Sequence, residues 1–373
     1  MGKLHSLQSD AAVHGARLII DLDAIAANYR KIASLAAPAR TAAVVKADAY
    51  GLGLAPVARA LAGAGCDIFF VAHFSEGVAL RAILKKARIY VLHGLPADAG
   101  QSYMAHALSP VLNSLSELAL WRGIKGPQGG VILNFDTGMS RLGMSGKEAA
   151  RSAADPGLLA GVTVDYIMSH LSCADDPPHP LNARQLAGFQ RLRALFPDTQ
   201  ASLANTAGIL LGREYCHDLV RPGIGLFGGS PTGSSGGPFQ GAVALYAKIL
   251  QVRDVDRHDY VGYGATFTPE GPRRIAVAGI GYADGYMRAL GNSGFGVIGG
   301  HRTPCVGRVS MDLCAFDVTG APAHLCAPGG EIELIGPNVS LDDAADAANT
   351  ISYEILTRLG SRFARSYSGE GMG

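Results

Sequence analysis

The sequence DIFFVAHFSEGVALRAILKKARIYVLHG, residues 67–94, contains two short apolar runs separated by an amphipathic segment. The runs are DIFFVA (67–72) and RIYVLHG (88–94), and the apolar residues of SEGVALRAILKKA between them recur at helical spacing. Continuous apolar strands joined by an amphipathic helix are typical of a parallel sheet that is covered by helices. This stretch therefore predicts one strand–helix–strand unit of an α/β fold.

Similar apolar runs, rich in Val, Ile and Phe, recur along the first part of the chain. They cover residues 41–47, 67–72, 88–94, 109–113, 131–136, 164–170, 201–206 and 218–228. Helical spacing lies between most of them, as in residues 22–37 and 182–196. Eight such units within about 200 residues fit a closed (β/α)8 TIM-type barrel better than an open, doubly wound sheet.

The pattern changes after GGSPTGSSGGP, residues 228–238, whose glycine and serine content predicts a flexible connection. Strand-like runs with little helical spacing follow until the last forty residues or so. They are residues 242–255, 260–267, 273–286, 303–312 and 329–336. We therefore predict a barrel over residues 15–238 and a C-terminal, mostly-β domain over residues 239–373, to which residues 1–14 are added.

The composition excludes several classes of function. The 373 residues carry 32 Lys and Arg against 31 Asp and Glu, a net charge of +1, which offers no field for nucleic acid or an anionic membrane. The apolar runs are too short to cross a bilayer, and residues 1–17 lack the apolar core of an export signal. We expect a cytoplasmic protein with no nucleic-acid or membrane partner. Six scattered cysteines without a Cys-x-x-Cys pair indicate reduced thiols and no metal site.

In a parallel barrel, functional side chains gather at the carboxyl ends of the strands. The polar residues expected there are Lys46, His93, Asn113, Asp136, His170, Asn205 and Arg221. Lys46 follows the apolar run 42–45, so its ammonium group should be partly desolvated, which lowers its pKa and favours a Schiff-base nucleophile. The alternative is a strand-end lysine whose head reaches water. His170 alone equally suits a core histidine.

GIGLFG, residues 223–228, matches the Gly-x-Gly-x-x-Gly fingerprint of dinucleotide-binding proteins. A nicotinamide cofactor is disfavoured, because Pro231 and the Gly/Ser segment follow where that fingerprint requires a helix. Two interpretations of the loop stay open: free N–H groups that hold a phosphate at the end of the eighth strand, or a plain turn.

Nine motifs, taken in order, closely resemble the alanine racemase family, pyridoxal-phosphate enzymes built from a barrel and a β domain. The resemblance extends from about residue 18 to about residue 367. The motifs are AVVKADAYGLG (43–53), DTGMSRLG (136–143), MSHLSCAD (168–175), ANTAG (204–208), VRPGIGLFG (220–228), YGATF (263–267), IGYADGY (280–286), VGRVSMD (306–312) and SYEIL (352–356). The resemblance implies an isomerase that interconverts L- and D-alanine by two-base proton transfer, to supply D-alanine for peptidoglycan or to degrade it.

The resemblance also implies a role for individual residues. Lys46 corresponds to the lysine that binds pyridoxal 5'-phosphate and acts as the base on one face of the substrate. Tyr263 corresponds to the base on the other face, which in the family comes from the neighbouring subunit, so a homodimer with shared active sites is implied. Removing a proton from one face and returning it to the other is served by two bases held on opposite faces.

The remaining matched residues bind cofactor or substrate. The residues that match the phosphate site are Tyr50, Asn205, Thr206, Gly223, Ile224 and Tyr353. Arg221 matches the arginine that faces the pyridine nitrogen, and His170 the histidine bonded to it. Arg141 and the Met311 backbone match groups near the substrate carboxylate, and Tyr282 a residue that narrows the access channel.

The chain departs from the family pattern at Asn134, where many members have a carbamylated lysine that steadies the arginine. An amide carries no negative charge, so a hydrogen bond or a bound anion would have to position Arg141 instead. Phe227 stands where tyrosine is common and Ser310 where some members have cysteine, with little expected effect.

Four alternatives are weighed against this interpretation. A broader alanine/serine racemase would use the same residues. A decarboxylase of basic amino acids would need a different phosphate loop and a cysteine motif, neither of which is found in the sequence. A pyridoxal-phosphate carrier needs no second base, and a sugar-phosphate isomerase barrel leaves Lys46 unexplained.

Overall fold

The computed structural model describes residues 13–124, 129–233 and 236–369. Within these ranges the strands are β1 Ala16–Asp21, β2 Arg40–Thr41, β3 Ala43–Val44, β4 Ile68–Val71, β5 Arg88–Val91, β6 Ser109–Leu112, β7 Val131–Asn134, β8 Val164–Met168, β9 Gln200–Ser202, β10 Leu219–Val220, β11 Val243–Val255, β12 Arg273–Ala278, β13 Phe295–Ile298, β14 His301–Val306, β15 Cys314–Asp317, β16 Glu331–Ile335 and β17 Ala364–Ser368. The α-helices are α1 Leu22–Ala36, α2 Leu54–Gly63, α3 Phe74–Ile83, α4 Gly100–Ala105, α5 Leu115–Gly123, α6 Gly146–Ala154, α7 Pro156–Leu159, α8 Pro180–Leu195, α9 Thr206–Leu211, α10 Leu341–Ala347 and α11 Ser352–Arg358. Residues Lys46–Tyr50 form a separate helical turn.

The chain divides into two compact units. The barrel unit is Ala26–Leu226, and the β unit joins the residues up to Ile25 to those from Phe227 onward. The domain limits expected from the sequence, 15–238 and 239–373, stay a prediction. Residues 1–12, which that prediction adds to the β domain, lie outside the described residues.

The barrel unit is built on parallel strands in the order β3-β4-β5-β6-β7-β8-β9. The next strand, β10, pairs in parallel with β2, which one residue separates from β3. On its other side, the Asp218 N–H donates to the Ala201 carbonyl (3.0 Å) and the Arg221 N–H to the Ala204 carbonyl (2.9 Å). These bonds join β10 to β9 and complete the ring, so the predicted (β/α)8 barrel is confirmed.

Burial explains why the barrel strands are continuously apolar. Every residue of β4, β6 and β7 is buried, because one face of each strand meets the barrel interior and the other meets the helices. The helices expected at 22–37 and 182–196 are observed as α1 and α8.

The amino ends of the barrel strands carry paired charges. Arg40 forms an ion pair with Asp67 (2.7 Å), and Arg88 forms a longer one with Asp165 (3.6 Å). The hydroxyl of Tyr90 donates to the Asp165 carboxylate at 2.7 Å. In such barrels, residues at this end serve stability, whereas chemistry takes place at the carboxyl ends.

The β unit contains a closed antiparallel barrel. Strands β12, β15, β14, β13 and β16 follow one another, and the long strand β11 pairs with β16 along one part and with β12 along another. Strand β1 pairs with β11, and β17 pairs in parallel with β1. Among the described residues after Phe227, α-helices appear only from Leu341 onward, as α10 and α11. The predicted mostly-β domain is confirmed.

Two local predictions are wrong. Residues 260–267 do not form a strand, because Gly264 has a φ of 72° and Tyr263–Ala265 form a 3-10 turn closed by a single bridge from Val261 to Phe267. The first residues of the segment 228–238 are packed rather than flexible, since the buried Ser230 donates its N–H to the Asp342 carboxylate at 3.0 Å. Residues 234–235 of that segment lie outside the described residues.

In the described ranges, no helix combines the length and the apolar character needed to cross a membrane. The same residues contain no group of three or more His, Cys, Asp or Glu that could hold a metal ion. All six cysteines are free thiols, and five of them are buried.

Candidate functional site

Lys46 lies at the carboxyl end of β3, directly after the buried residues 42–45. The chain then turns in a left-handed sense, since residues 47–50 all have φ values between 54° and 58°. This conformation costs L-amino acids about 1–2 kcal/mol per residue. The turn therefore persists only because other contacts of the fold hold it in place.

Several hydrogen bonds hold this left-handed turn. The Gly51 N–H donates to the Ala47 carbonyl at 2.7 Å, and the Leu54 N–H donates to the Asp48 carboxylate, also at 2.7 Å. At the beginning of the turn, the Ala47 N–H donates to Oε1 of Glu76 at 2.6 Å. Together these hydrogen bonds fix the backbone that follows Lys46.

The surroundings of Lys46 favour its neutral amine. The side chain is half-buried, and burial lowers the pKa of its ammonium group. The guanidinium of Arg141 lowers this pKa further, and the carboxylate of Glu76 acts in the opposite direction. The neutral amine is the form that attacks an aldehyde, so the desolvated strand-end position expected from the sequence is observed.

Arg221, which is buried, and His170, which is half-buried, form a pair beyond the carboxyl ends of β10 and β8. Nη2 of Arg221 donates to the Ser169 carbonyl at 2.7 Å and lies 3.3 Å from Nδ1 of His170. Because a guanidinium can only donate, Nδ1 accepts and the ring hydrogen lies on Nε2. Burial, together with the neighbouring charge of Arg221, lowers the pKa of His170 to about 3, and burial lowers the pKa of Arg221 to about 9. At neutral pH the pair is a neutral imidazole beside a cation.

The loop after β10 lies against Tyr50 and Thr206. A β-carbon on residue 223 would lie 2.1 Å from the Tyr50 hydroxyl oxygen, so any larger residue there would displace the Tyr50 side chain or the loop. Oγ1 of Thr206 accepts the N–H groups of Gly223 (3.0 Å) and Gly225 (3.4 Å). Since its lone pairs are used in this way, the Thr206 hydroxyl hydrogen is left to donate to a ligand.

Unpaired amides surround the same loop. Among the described residues, the N–H groups of Thr206, Ala207 and Ile224 find no acceptor, and the Asn205 side chain caps α9 by accepting the Gly208 N–H at 2.9 Å. Buried N–H groups are almost always paired, so unpaired amides beside hydroxyl groups suit an oxyanion such as phosphate. The structure thus brings together the phosphate residues expected from the barrel: Tyr50, Asn205, Thr206, Gly223 and Ile224.

Arg141 is carried by a loop over residues 136–143 whose backbone is fixed. The Asp136 carboxylate accepts the N–H groups of residues 138–140 at 2.8–3.0 Å. A β-carbon on Gly143 would lie 2.8 Å from the Asp136 nitrogen, so the loop can close this tightly only with glycine there. The Arg141 side chain itself is exposed and has no hydrogen-bond partner within the described part of the chain.

Asn134, which replaces the carbamylated lysine, is buried and binds another amide. Its Nδ2 donates to Oδ1 of Asn113 at 2.8 Å, and Nδ2 of Asn113 donates in turn to the Val111 and Leu92 carbonyls. The amide pair therefore ties neighbouring strand ends together and makes no bond to Arg141. Of the two substitutes for the carbamate, a hydrogen bond to Arg141 is not found within the described residues, and the bound anion stays a prediction.

The other predicted site residues belong to the β unit. Tyr263, Tyr282 and Met311 are 73%, 43% and 53% exposed. The Tyr282 N–H donates to the Ser310 carbonyl at 3.0 Å, so Tyr282 lies next to the segment that carries Met311. Tyr353 lies in α11 and is half-buried. The roles of these four residues stay predictions.

Two features near Lys46 were not assigned a role by the sequence. Glu76 is the third residue of α3, and its carboxylate reaches the backbone beside Lys46. In the sequence it is indicated by its position in the first turn of a helix, where a capping box has a glutamate. His93 is exposed, and its ring packs edge-on against His73 with centroids 4.3 Å apart.

The residues of the barrel unit fit pyridoxal phosphate. Its aldehyde matches the half-buried amine of Lys46, and its phosphate matches the unpaired amides and hydroxyls at Thr206 and Ile224. Its pyridine ring matches the cation and neutral imidazole of Arg221 and His170.

Comparison with known proteins points the same way. A family model described as "Alanine racemase, N-terminal domain" matches residues 20–231, and "Alanine racemase, C-terminal domain" matches residues 242–367. The alanine racemase of Rhodospirillum rubrum is 49% identical, covering 96% of this chain and 98% of the relative. "Alanine racemase, catabolic" of Agrobacterium fabrum is 44% identical, covering 98% and 96%.

Solved structures are similar over the same extent. Alanine racemase from Bartonella henselae with covalently bound pyridoxal phosphate superposes with a TM-score of 0.90 at 40% identity, covering 95% of this chain and 99% of that one. The biosynthetic alanine racemase from Pseudomonas aeruginosa superposes with a TM-score of 0.88 at 34% identity, covering 96% and 100%.

Proposed function

The chain belongs to the alanine racemase family, and we propose on that premise how its own residues carry the reaction. The enzyme interconverts L- and D-alanine with pyridoxal phosphate as its cofactor. Both biosynthetic and catabolic members are among its relatives. When bound, the cofactor supplies a conjugated electron acceptor that makes the α-hydrogen of alanine removable as a proton.

Lys46 holds the cofactor covalently and is the base on one face of the substrate. Its half-buried position beside Arg141 lowers the pKa of the amine and so raises the share of the neutral form that both roles require. The fixed left-handed turn after it limits the positions that Nζ can take, so the proton is exchanged at one defined face.

Tyr263 is the base on the opposite face and acts in the active site of a second copy of the chain. The Tyr263 side chain is 73% exposed, and Met311 and Tyr282 of the same unit are exposed as well. Large exposed apolar groups of this kind suit an interface. We therefore propose a homodimer with shared sites, in which the Met311 backbone contacts the substrate carboxylate and Tyr282 narrows the access channel.

The other groups bind and orient. Thr206, Ile224 and Tyr50 hold the phosphate from the barrel unit, and Tyr353 is proposed to add its hydroxyl. Arg221 would face the pyridine nitrogen and, as a cation, would oppose its protonation, and the neutral His170 would lie against the ring. The unpaired guanidinium of Arg141 receives the substrate carboxylate.

One observation supports this assignment: Lys46, whose pKa is lowered by burial, follows β3, and Val44 of that strand donates its N–H to the Pro222 carbonyl at 3.0 Å, next to the loop with the unpaired Ile224 amide. The test is a chiral product assay with L-alanine and added pyridoxal phosphate, run with borohydride reduction and peptide mass spectrometry. We expect D-alanine to form and the reduced cofactor to be found on Lys46. A label on another lysine, or none, would remove Lys46 from the mechanism.

Lys46→Ala should be colourless after dialysis and inactive, whereas the unchanged chain should be yellow. The same assay with L-serine tests the broader-specificity alternative, and retention of colour without turnover would favour the carrier alternative. The cytoplasmic location stays a prediction.

A further inference from the structure

Glu76 links two structures that meet at Lys46. Its Oε1 accepts the Ala47 N–H at 2.6 Å, and its Oε2 accepts the N–H groups of Ala72 (2.8 Å) and His73 (3.0 Å). Ala72 and His73 follow the end of β4, the strand that pairs with β3. One carboxylate therefore ties the backbone after Lys46 to the neighbouring strand end.

The bond to Ala47 acts on Lys46 directly. The Ala47 nitrogen belongs to the same peptide plane as the Lys46 carbonyl, so holding this N–H fixes the orientation of that plane. Residues 47–50 lie in the left-handed region, which the chain adopts only under constraint. A carboxylate that accepts backbone N–H groups forms charge-assisted bonds, which are the strong ones.

Glu76 also contributes to the electrostatic surroundings of Lys46, after burial and Arg141. The charged and titratable groups that act on or beside this amine are Glu76, Arg141, His93 and His170. Within the described residues, Glu76 is the one among them that carries a negative charge toward Lys46. Its charge offsets part of the effect of Arg141 and of burial.

We propose that Glu76 is a positioning residue for Lys46, whose carboxylate holds the left-handed turn against the end of β4 and so sets both the direction and the protonation of the Lys46 amine. This inference rests on the proposed function, because it takes Lys46 as the cofactor lysine and base.

The chain offers a matched control in Glu117. This glutamate is also the third residue of its helix, α5, and is half-buried. Its Oε2 accepts the N–H groups of Asn113 (2.9 Å) and Leu95 (3.4 Å), but it makes no bond to the turn after Lys46. Glu76→Gln and Glu117→Gln therefore remove the same kind of contact, and only the first affects Lys46.

The first readout is the rate at which the dialysed full chain captures added pyridoxal phosphate, followed by its colour from pH 6 to pH 10. In Glu76→Gln the amine loses its negative neighbour and should deprotonate at lower pH, so the capture profile should move to lower pH. The profile of Glu117→Gln should coincide with that of the unchanged chain.

The second readout separates kcat from KM and adds hydrogen exchange of the peptide that covers residues 43–53. We expect Glu76→Gln to lower kcat by about tenfold to a hundredfold through misplacement of the base, with KM for alanine within about twofold, since Glu76 is not placed against the substrate. The 43–53 peptide should exchange faster in this variant than in Glu117→Gln.

Glu76→Asp separates the effect on backbone position from the effect on charge. It also replaces Glu76→Gln if that variant does not fold. It keeps the charge but is one methylene too short to reach both backbones, so exchange should rise and kcat fall while the capture profile stays in place. Equal behaviour of Glu76→Gln and Glu117→Gln, or a Glu76→Asp variant identical to the unchanged chain, would overturn the inference. Failure of the unchanged chain to bind cofactor at Lys46 would instead overturn the proposed function.

Discussion

The hydroxyl of Tyr50 lies directly against the α-carbon of Gly223, at a distance that leaves no room for a β-carbon. The first residue ends the left-handed turn after Lys46, and the second begins the loop after β10. The contact between the Tyr50 side chain and the Gly223 backbone therefore fixes the position of the turn after Lys46 relative to the loop after β10. This contact accounts for a glycine at 223 without any reference to dinucleotide binding.

Gly223→Ala should therefore weaken cofactor binding. The new methyl group would lie 2.1 Å from the Tyr50 oxygen and would displace either that side chain or the loop. We expect the Kd for pyridoxal phosphate, measured by colour titration, to rise about tenfold or more. Gly63→Ala, whose β-carbon would meet nothing within 4 Å, is the control and should bind normally. Unchanged affinity in Gly223→Ala would show that the contact is not needed.

Thr206→Val should leave the N–H groups of Gly223 and Gly225 without their acceptor while preserving side-chain shape. Leaving a buried donor unpaired costs about 1–3 kcal/mol, so we expect a lower urea midpoint as well as weaker cofactor binding. Thr206→Ser keeps the hydroxyl and should retain most of both properties. A Thr206→Val variant that binds cofactor and unfolds like the unchanged chain would show that the hydroxyl is not needed.

His170 should make the fold less stable in acid. Its folded pKa of about 3 lies below the model-peptide value of 6.5, so between these values the unfolded chain binds a proton that the folded chain does not. This contribution to stability is fully present above pH 6.5 and is lost as the pH falls toward 3. At pH 5 the loss from this residue is about 2 kcal/mol.

The measurement is the free energy of urea unfolding at pH 7 and at pH 5. The change between the two should be smaller in His170→Gln by roughly that 2 kcal/mol, while the exposed His324→Gln should behave like the unchanged chain. An identical pH dependence in all three would mean that His170 is protonated in the folded protein.

Tyr263→Phe should keep the yellow colour, because Lys46 is intact, and lose most turnover, because one face lacks its base. Mixing Tyr263→Phe chains with Lys46→Ala chains should restore part of the activity, since a hybrid dimer contains one site with both groups. Mass spectrometry of the mixture should detect the hybrid. Hybrid dimers that stay inactive would contradict a site shared between subunits.

The enzyme should not depend on carbon dioxide. Asn134 has no amine that could form a carbamate, and its amide is already bonded to Asn113. We expect the same rate in buffer stripped of carbon dioxide as in buffer with added bicarbonate. A rate that falls on stripping and recovers with bicarbonate would indicate a carbamate on another lysine.

Strand positions in the barrel could be predicted where a strand such as β4 or β7 is buried on both faces and is therefore an unbroken apolar run in the sequence. The runs at 67–72 and 131–136 correspond to β4 and β7. The stretch 260–267 misled for the opposite reason: Tyr263 and its neighbours are apolar but exposed, so their pattern does not report burial.

The candidate site was predictable where a strand end fixes a side chain, as at Lys46 and Arg221. It was not predictable where distant segments meet. Nothing in the local pattern at Glu76 shows that its carboxylate reaches Ala47, because that contact depends on the pairing of β3 with β4. The Asn134–Asn113 amide pair arises in the same way, across β7 and β6.

The ion pairs Arg40–Asp67 and Arg88–Asp165 lie at the amino ends of the barrel strands, whereas Lys46, His170 and Arg221 lie at or beyond the carboxyl ends. Changes at sites that share no partners usually have independent effects. Substitutions at the amino ends of the barrel strands should therefore change the thermal stability of the enzyme without changing its rate of turnover.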